Sequence, residues 1–146
     1  MVFPRMFRVK QRFEGPRLQD IPGPVRDSMR RLHLQDKVKP GQTVAVTAGS
    51  RGIANIDRIT RAVVDELKAL GLQPFIVPTM GSHGGATAEG QRTVLEHYGI
   101  TEASMGCPTQ SSMEVVRIGE VKGIPVFCDK NAWGADHIAV VARVKP

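Results

Sequence analysis

A histidine between glycine residues is the strongest catalytic candidate in the sequence. His83 lies in the run Met-Gly-Ser-His-Gly-Gly over residues 80–85. Glycine near the imidazole leaves the ring accessible and allows the backbone to approach a ligand. A neutral imidazole can take a proton from a hydroxyl group near neutral pH. We therefore expect His83 to act as a base, with Gly81, Ser82 and Gly84 forming a binding loop; a turn histidine that only bonds to backbone is the alternative.

A second loop carries groups that bind anions. Ser50, Arg51 and Gly52 follow an apolar run and precede a predicted helix. Arg51 can bind a carboxylate or phosphate through two parallel hydrogen bonds, Ser50 adds a hydroxyl donor, and Gly52 allows close approach of the backbone. The N-terminus of the helix would add free N–H groups. The loop matches neither G-x-G-x-x-G nor the Walker A motif, which argues against a dinucleotide or nucleoside triphosphate. The alternative is a simple turn with a surface arginine.

Two β-loop-α units are predicted to position these loops. The runs 43–48 and 74–78 are short and apolar, which is typical of parallel strands buried on both faces. A helix follows each loop, with Asn55 and Thr87 as the expected N-caps. In open α/β sheets the loops that bind ligands lie at the carboxyl ends of the strands. The sequence therefore predicts an α/β fold with a mainly parallel sheet and flanking helices, a Rossmann-like βαβα unit.

Further elements are predicted on both sides of this unit. Residues 6–13 alternate loosely and predict a strand with one exposed face, and 25–32 predict a short amphipathic helix. Residues 113–118 and 124–128 predict two short strands. Residues 137–144 predict a final strand that is apolar enough to lie inside the sheet. Since a functional loop is expected directly after such a strand, we expect the chain to be part of a longer protein.

The charge of the chain is unevenly distributed. Of its 20 Lys and Arg and 14 Asp and Glu, ten basic and four acidic residues lie in 1–40, and 41–146 is neutral. We expect a basic N-terminal strand and helix arm over 1–40 and an α/β domain over 41–146. We expect this basic excess to form a solvated face or to contact an acidic part of a longer protein, so a nucleic acid partner is not favoured. No apolar run is long enough to span a membrane. Two cysteines form no disulfide framework and indicate a cytoplasmic protein.

The two loops together resemble the N-terminal domain of the nickel-pincer-nucleotide 2-hydroxy-acid racemase family, which includes lactate racemases. The matching stretches read Thr-Ala-Gly-Ser-Arg-Gly-Ile-Ala-Asn over 47–55 and Pro-Thr-Met-Gly-Ser-His-Gly-Gly-Ala-Thr over 78–87. A third match is Ala-Asp-His-Ile-Ala-Val-Val-Ala-Arg-Val-Lys-Pro over 135–146. The resemblance implies an isomerase that inverts the α-carbon of a 2-hydroxy acid by hydride transfer, using a nickel-pincer nucleotide tethered to a lysine.

The resemblance also assigns roles to residues of this chain. His83 matches the histidine that takes the hydroxyl proton of the substrate, and Arg51 matches an arginine near the substrate carboxylate or the cofactor. A second histidine, the tethering lysine and the nickel ligand are expected after Pro146, so no metal ligand is expected in this chain and the chain alone is expected to be inactive. Its partners would be a small 2-hydroxy acid and the C-terminal half of the same protein; a second copy of the chain is a further candidate.

One departure from the family pattern concerns the substrate. Lactate racemase-like members carry Asp-x-Thr-Arg where residues 48–51 of this chain read Ala-Gly-Ser-Arg. The missing acidic residue favours a hydroxy acid other than lactate. The main alternative function is a non-catalytic α/β module that binds phosphate or carboxylate, and a nucleic-acid-binding protein is the third.

Overall fold

The computed structural model describes residues 6–12 and 17–143. Its strands are β1 (Thr43–Ala48), β2 (Gln73–Pro78), β3 (Val115–Val121), β4 (Ile124–Asp129) and β5 (His137–Ala139). Its α-helices are α1 (Pro22–Arg30), α2 (Ile56–Ala69), α3 (Ala88–His97), α4 (Glu102–Met105) and α5 (Lys130–Trp133). Short 3₁₀ turns cover Leu34–Asp36 and Gly84–Ala86.

A three-stranded parallel sheet in the order β2-β1-β5 forms the centre of the fold. β1 and β2 pair along their full length, from Thr43 opposite Gln73 to Ala48 opposite Pro78. α2 connects them, as parallel neighbours require a crossover. The α/β class with a parallel sheet and flanking helices is confirmed.

The buried residues of the strands alternate between two apolar clusters because successive side chains of a strand point to opposite faces. Val44, Val46 and Ala48 of β1 pack with residues of α2 and α3, whereas Ala45 of β1 packs on the other face with Ala132 of α5. Both faces of β1 are therefore covered. The predicted apolar runs at 43–48 and 74–78 are confirmed as buried strands.

The structure confirms one of the two predicted helix caps and contradicts the other. The hydroxyl of Thr87 accepts a hydrogen bond from the N–H of Gly90 at 3.0 Å, so its capping role is confirmed. Asn55 does precede α2, but it adopts the left-handed conformation (φ 57°) and its side chain makes no capping hydrogen bond. In that conformation the amide does not reach the first-turn N–H groups, so the predicted role of Asn55 as a cap is wrong.

The predicted N-terminal strand is also wrong over the part that the structure describes. Residues 6–12 form no strand, and their side chains are exposed. Alternating apolar residues stabilise a strand only when a neighbouring strand and a core are present. Residue 13 lies outside the described residues.

The helix predicted over 25–32 is present as α1, which packs against α2 with an ion pair between Arg26 and Glu66 at 3.0 Å.

The last strand is shorter than predicted and lies at the edge of the described sheet. β5 spans three residues, and Ile138 within it and Val140 after it are exposed. The ladder with β1 ends because the N–H of Val141 donates to the side-chain hydroxyl of Thr47 at 3.0 Å rather than to a backbone carbonyl. The expectation of an internal strand is therefore wrong for the described residues, and 144 lies outside them.

The predicted strand pair near 113–128 is confirmed as an antiparallel hairpin of β3 and β4.

The division of the chain at residue 40 stays a prediction. In the structure Ile21 is buried, and Met29 and Val38 pack against the main core. Among the described residues, none of the helices has the length and hydropathy needed to cross a membrane.

Candidate functional site

The register of β1 and β2 places the two predicted loops next to each other. Both strands end at the same edge of the sheet, where Ala48 lies opposite Pro78. The N–H of Thr79 donates to the carbonyl of Ala48 at 2.8 Å and continues the pairing into the loops. A cavity of about 400 Å³ lies between the loops and the segment that follows β5. We call it the loop cavity.

Four of the predicted site residues line the loop cavity: Ser50, Arg51, Gly81 and His83. Sequence analysis did not single out Arg143, which also lines it. The cavity therefore combines a histidine, a hydroxyl group and two guanidinium groups. No carboxylate belongs to its described lining.

The pair formed by Ser50 and His83 is the closest contact between the two loops. The hydroxyl oxygen of Ser50 lies 2.6 Å from Nδ1 of His83. The other ring nitrogen, Nε2, has no hydrogen-bond partner among the described residues. Since His83 is exposed at the cavity, Nε2 is the nitrogen that can exchange a proton with a ligand.

Polar side chains of helix α3 and of the residue that follows it form hydrogen bonds with both loops. The phenol of Tyr98 donates to the backbone carbonyl of Ser50 at 2.8 Å. The amide of Gln91, which is 4% exposed, donates to the carbonyl of Gly81 at 2.7 Å. Neither residue belongs to the two loop motifs that predict the site. Gln91 lies four residues before the buried Leu95 on one face of α3, and Tyr98 directly follows the helix. A glutamine in this apolar stripe was the available signal.

Two glycines of the second loop have different structural roles. Gly81 has a φ of 59° and open space around it, so it allows the turn that lines the cavity. Gly84 has a φ of 66°, and a Cβ there would lie 2.5 Å from the backbone N of Gln91. Gly84 therefore lets the loop pack directly on α3 and is absent from the described cavity lining.

The remaining predicted site residues also lie outside the lining. Ser82 is exposed, and its carbonyl accepts a hydrogen bond from the N–H of Ala86 at 3.1 Å. Gly52 is exposed and has open space at the position of a Cβ. Their proposed part in binding stays a prediction.

The helix N-terminus is not part of the loop cavity. Ala54 and Asn55, which precede α2, line a separate apolar groove of about 980 Å³ between α1, α2 and residues 140–142. The positive charge that attracts an anion to the loop cavity therefore comes from arginine side chains. Among the described residues, neither Arg51 nor Arg143 forms an ion pair, so both guanidinium groups remain available.

The described residues contain no group of three or more His, Cys, Asp or Glu side chains that could hold a metal ion. Comparisons with protein-family models, curated proteins and solved structures found no match to this chain. The functional interpretation therefore rests on the loop motifs and on the geometry of the loop cavity.

Proposed function

We propose that this chain is the N-terminal part of a nickel-pincer-nucleotide-dependent racemase or epimerase of 2-hydroxy acids, in which His83 is a base. The observation that supports this proposal is the loop cavity itself. It brings Nε2 of His83 and two guanidinium groups without ion-pair partners among the described residues into one space. A 2-hydroxy acid needs both kinds of group, since it carries a hydroxyl next to a carboxylate.

Each side chain has a defined task in this proposal. Arg51 holds the substrate carboxylate through paired hydrogen bonds. His83 accepts the hydroxyl proton at Nε2, and the second base, supplied by the longer protein, returns a proton on the opposite face of the substrate. The α-hydrogen of such an acid is barely acidic, so inversion at the α-carbon proceeds by loss and return of a hydride. The nickel-pincer nucleotide, when bound, supplies the hydride-accepting chemistry.

The residues of the cavity fit the anionic part of such a cofactor. Arg143 lines the cavity together with Arg51, and no carboxylate of the described lining would repel a phosphate. In this proposal the lysine tether and the nickel ligand belong to a longer protein. The C-terminal half would supply these groups and the second base, and a second copy of the chain is a candidate partner.

We place the protein in the cytoplasm, where the free thiols of Cys107 and Cys128 would stay reduced.

The substrate is proposed to differ from lactate. Ala48, which stands where lactate racemase-like members carry an acidic residue, is fully buried in the main apolar cluster. An acidic side chain there would need polar partners that the cluster does not provide. The anion-binding groups of this site therefore act without an acidic neighbour at that position.

The decisive experiment measures inversion of configuration by the longer protein loaded with cofactor. Single enantiomers of several 2-hydroxy acids are incubated with it, and the products are separated by chiral chromatography. We expect His83→Gln to lower kcat by about 10²–10⁴-fold, the usual contribution of a general base. His97→Gln is the matched control, because His97 is exposed at the end of α3 and lies outside the loop cavity.

Unchanged turnover in His83→Gln would remove His83 from the mechanism. Calorimetry on the chain with inorganic phosphate or a 2-hydroxy acid tests the alternative binding module. There Arg51→Gln should weaken binding, and Arg58→Gln on the exposed side of α2 should not. Tight binding that depends on Arg51, combined with no inversion by the loaded longer protein, would favour the non-catalytic module.

A further inference from the structure

Two hydrogen bonds in series connect Tyr98, which directly follows helix α3, to the imidazole of His83. The phenol of Tyr98 donates to the backbone carbonyl of Ser50, and the hydroxyl of the same serine lies 2.6 Å from Nδ1 of His83. We propose that Ser50 is a positioning residue that fixes the tautomer of His83, and that Tyr98 holds Ser50 in place. This inference rests on the proposed role of His83 as a base.

The tautomer matters because only one ring nitrogen of His83 is available to a ligand. Nδ1 is occupied by Ser50, so proton transfer with a hydroxy acid must use Nε2. In a neutral imidazole one nitrogen carries the hydrogen and the other is the base. Nε2 is basic only when Nδ1 carries the hydrogen and donates it to the oxygen of Ser50.

The same arrangement leaves the hydroxyl hydrogen of Ser50 free. Its oxygen accepts from Nδ1, so its own hydrogen turns toward the loop cavity, where Arg51 and Arg143 favour an anion. A bound carboxylate oxygen can accept that hydrogen. Ser50 therefore couples the carboxylate end of a ligand to the base that faces its hydroxyl group.

Tyr98 makes this pairing possible because the two loops belong to different β-loop-α units. Tyr98 is half-buried against the main core and fixes the first loop, while Gln91 fixes the second loop through the carbonyl of Gly81. Gln91 lies in α3, and Tyr98 directly follows the last residue of that helix. The distance between Ser50 and His83 is therefore set by α3 and not only by the loops.

The test is nuclear magnetic resonance of ¹⁵N-histidine-labelled protein at pH 8.5, where an ordinary histidine is neutral. Long-range ¹H–¹⁵N spectra distinguish the two tautomers, and His83→Gln assigns the signal. His137 is an internal reference: its Nε2 lies 3.0 Å from Oε1 of Gln42, which also accepts from the N–H of Lys39. Since that oxygen only accepts, His137 must carry its hydrogen on Nε2.

We expect wild-type His83 to show the hydrogen on Nδ1, the opposite of His137. Ser50→Ala should return His83 to the Nε2–H form that free imidazole prefers, and Ser50→Thr should restore the Nδ1–H form. Tyr98→Phe should give a mixture of the two forms. Ser112→Ala, which removes a hydroxyl that caps the N–H of Glu114 outside the described cavity lining, should leave the spectrum of His83 unchanged.

In the loaded longer protein, Ser50→Ala should lower kcat by about tenfold, the effect of losing one orienting hydrogen bond. An Nε2–H form of wild-type His83, or no change in Ser50→Ala, would overturn the role of Ser50. An unchanged spectrum in Tyr98→Phe would overturn the role of Tyr98. The predicted tautomer together with full turnover in His83→Gln would instead refute the proposed function and leave the pairing intact.

Discussion

Replacing Gly84 with alanine should destabilise the protein far more than replacing its neighbour Gly85. Both residues have a positive φ, 66° and 69°, so an alanine at either position costs about 1–2 kcal/mol of conformational strain. At Gly85 the new Cβ meets nothing within 4 Å. At Gly84 it would lie 2.5 Å from both the N of Gln91 and the carbonyl oxygen of Gly90, well inside a normal contact distance of about 3.5–4.0 Å.

Relief of this overlap requires the loop or α3 to move by about 1 Å, and overpacking of this kind typically costs a further 1–3 kcal/mol. We therefore expect the free energy of unfolding to fall by about 2–5 kcal/mol in Gly84→Ala and by about 1–2 kcal/mol in Gly85→Ala. Urea unfolding followed by circular dichroism measures both values by linear extrapolation. Equal destabilisation by the two variants would show that direct packing of the loop on α3 is wrong.

Two further predictions concern groups whose pKa the fold shifts. Burial raises the pKa of the Cys107 thiol. Cys107 should therefore react with iodoacetamide at pH 8 at least about tenfold more slowly than the partly exposed Cys128. Peptide mass spectrometry measures both rates, and equal rates would contradict this prediction. Hydrogen bonds from the N–H and the hydroxyl of Thr43 lower the pKa of Asp136. The contribution of Asp136 to stability is therefore present above the ordinary carboxyl pKa and is lost as the pH falls through the lowered value. Asp136→Asn should therefore lower the thermal midpoint at pH 7, and its difference from wild type should shrink below about pH 4; a difference that does not depend on pH would refute the role of the charge.

The parts of the fold that could be predicted are those in which local pattern and burial agree. The runs 43–48 and 74–78 are mostly apolar, and the structure buries five residues of each. Residues 6–12 alternate only loosely, and the described structure pairs this segment with no strand. A strand depends on partners that are distant in sequence, and alternation alone does not identify them.

The length of the last strand depended on a side chain that no pattern indicates. Residues 137–144 are mostly apolar and include four β-branched residues, which favours a long strand. β5 nevertheless ends at Ala139, because the hydroxyl of Thr47 takes the hydrogen bond from the N–H of Val141 that would extend the ladder. A threonine in a buried strand is compatible with an ordinary ladder, so its competing hydrogen bond becomes visible only in the structure.

The location of the candidate site could be predicted more fully than its internal contacts. Parallel strands end at one edge of a sheet, so two glycine-containing loops after successive strands were expected to meet there. The pairing of Ser50 with His83 needs more: the exact register that sets Ala48 opposite Pro78, and a helix that holds both loops at a fixed separation. Shifting that register by one residue would move the loops apart by about 3.3 Å, which is enough to break a contact of 2.6 Å. The chemistry proposed for His83 therefore depends as much on the packing of β1, β2 and α3 as on the glycine-flanked motif in which the histidine lies.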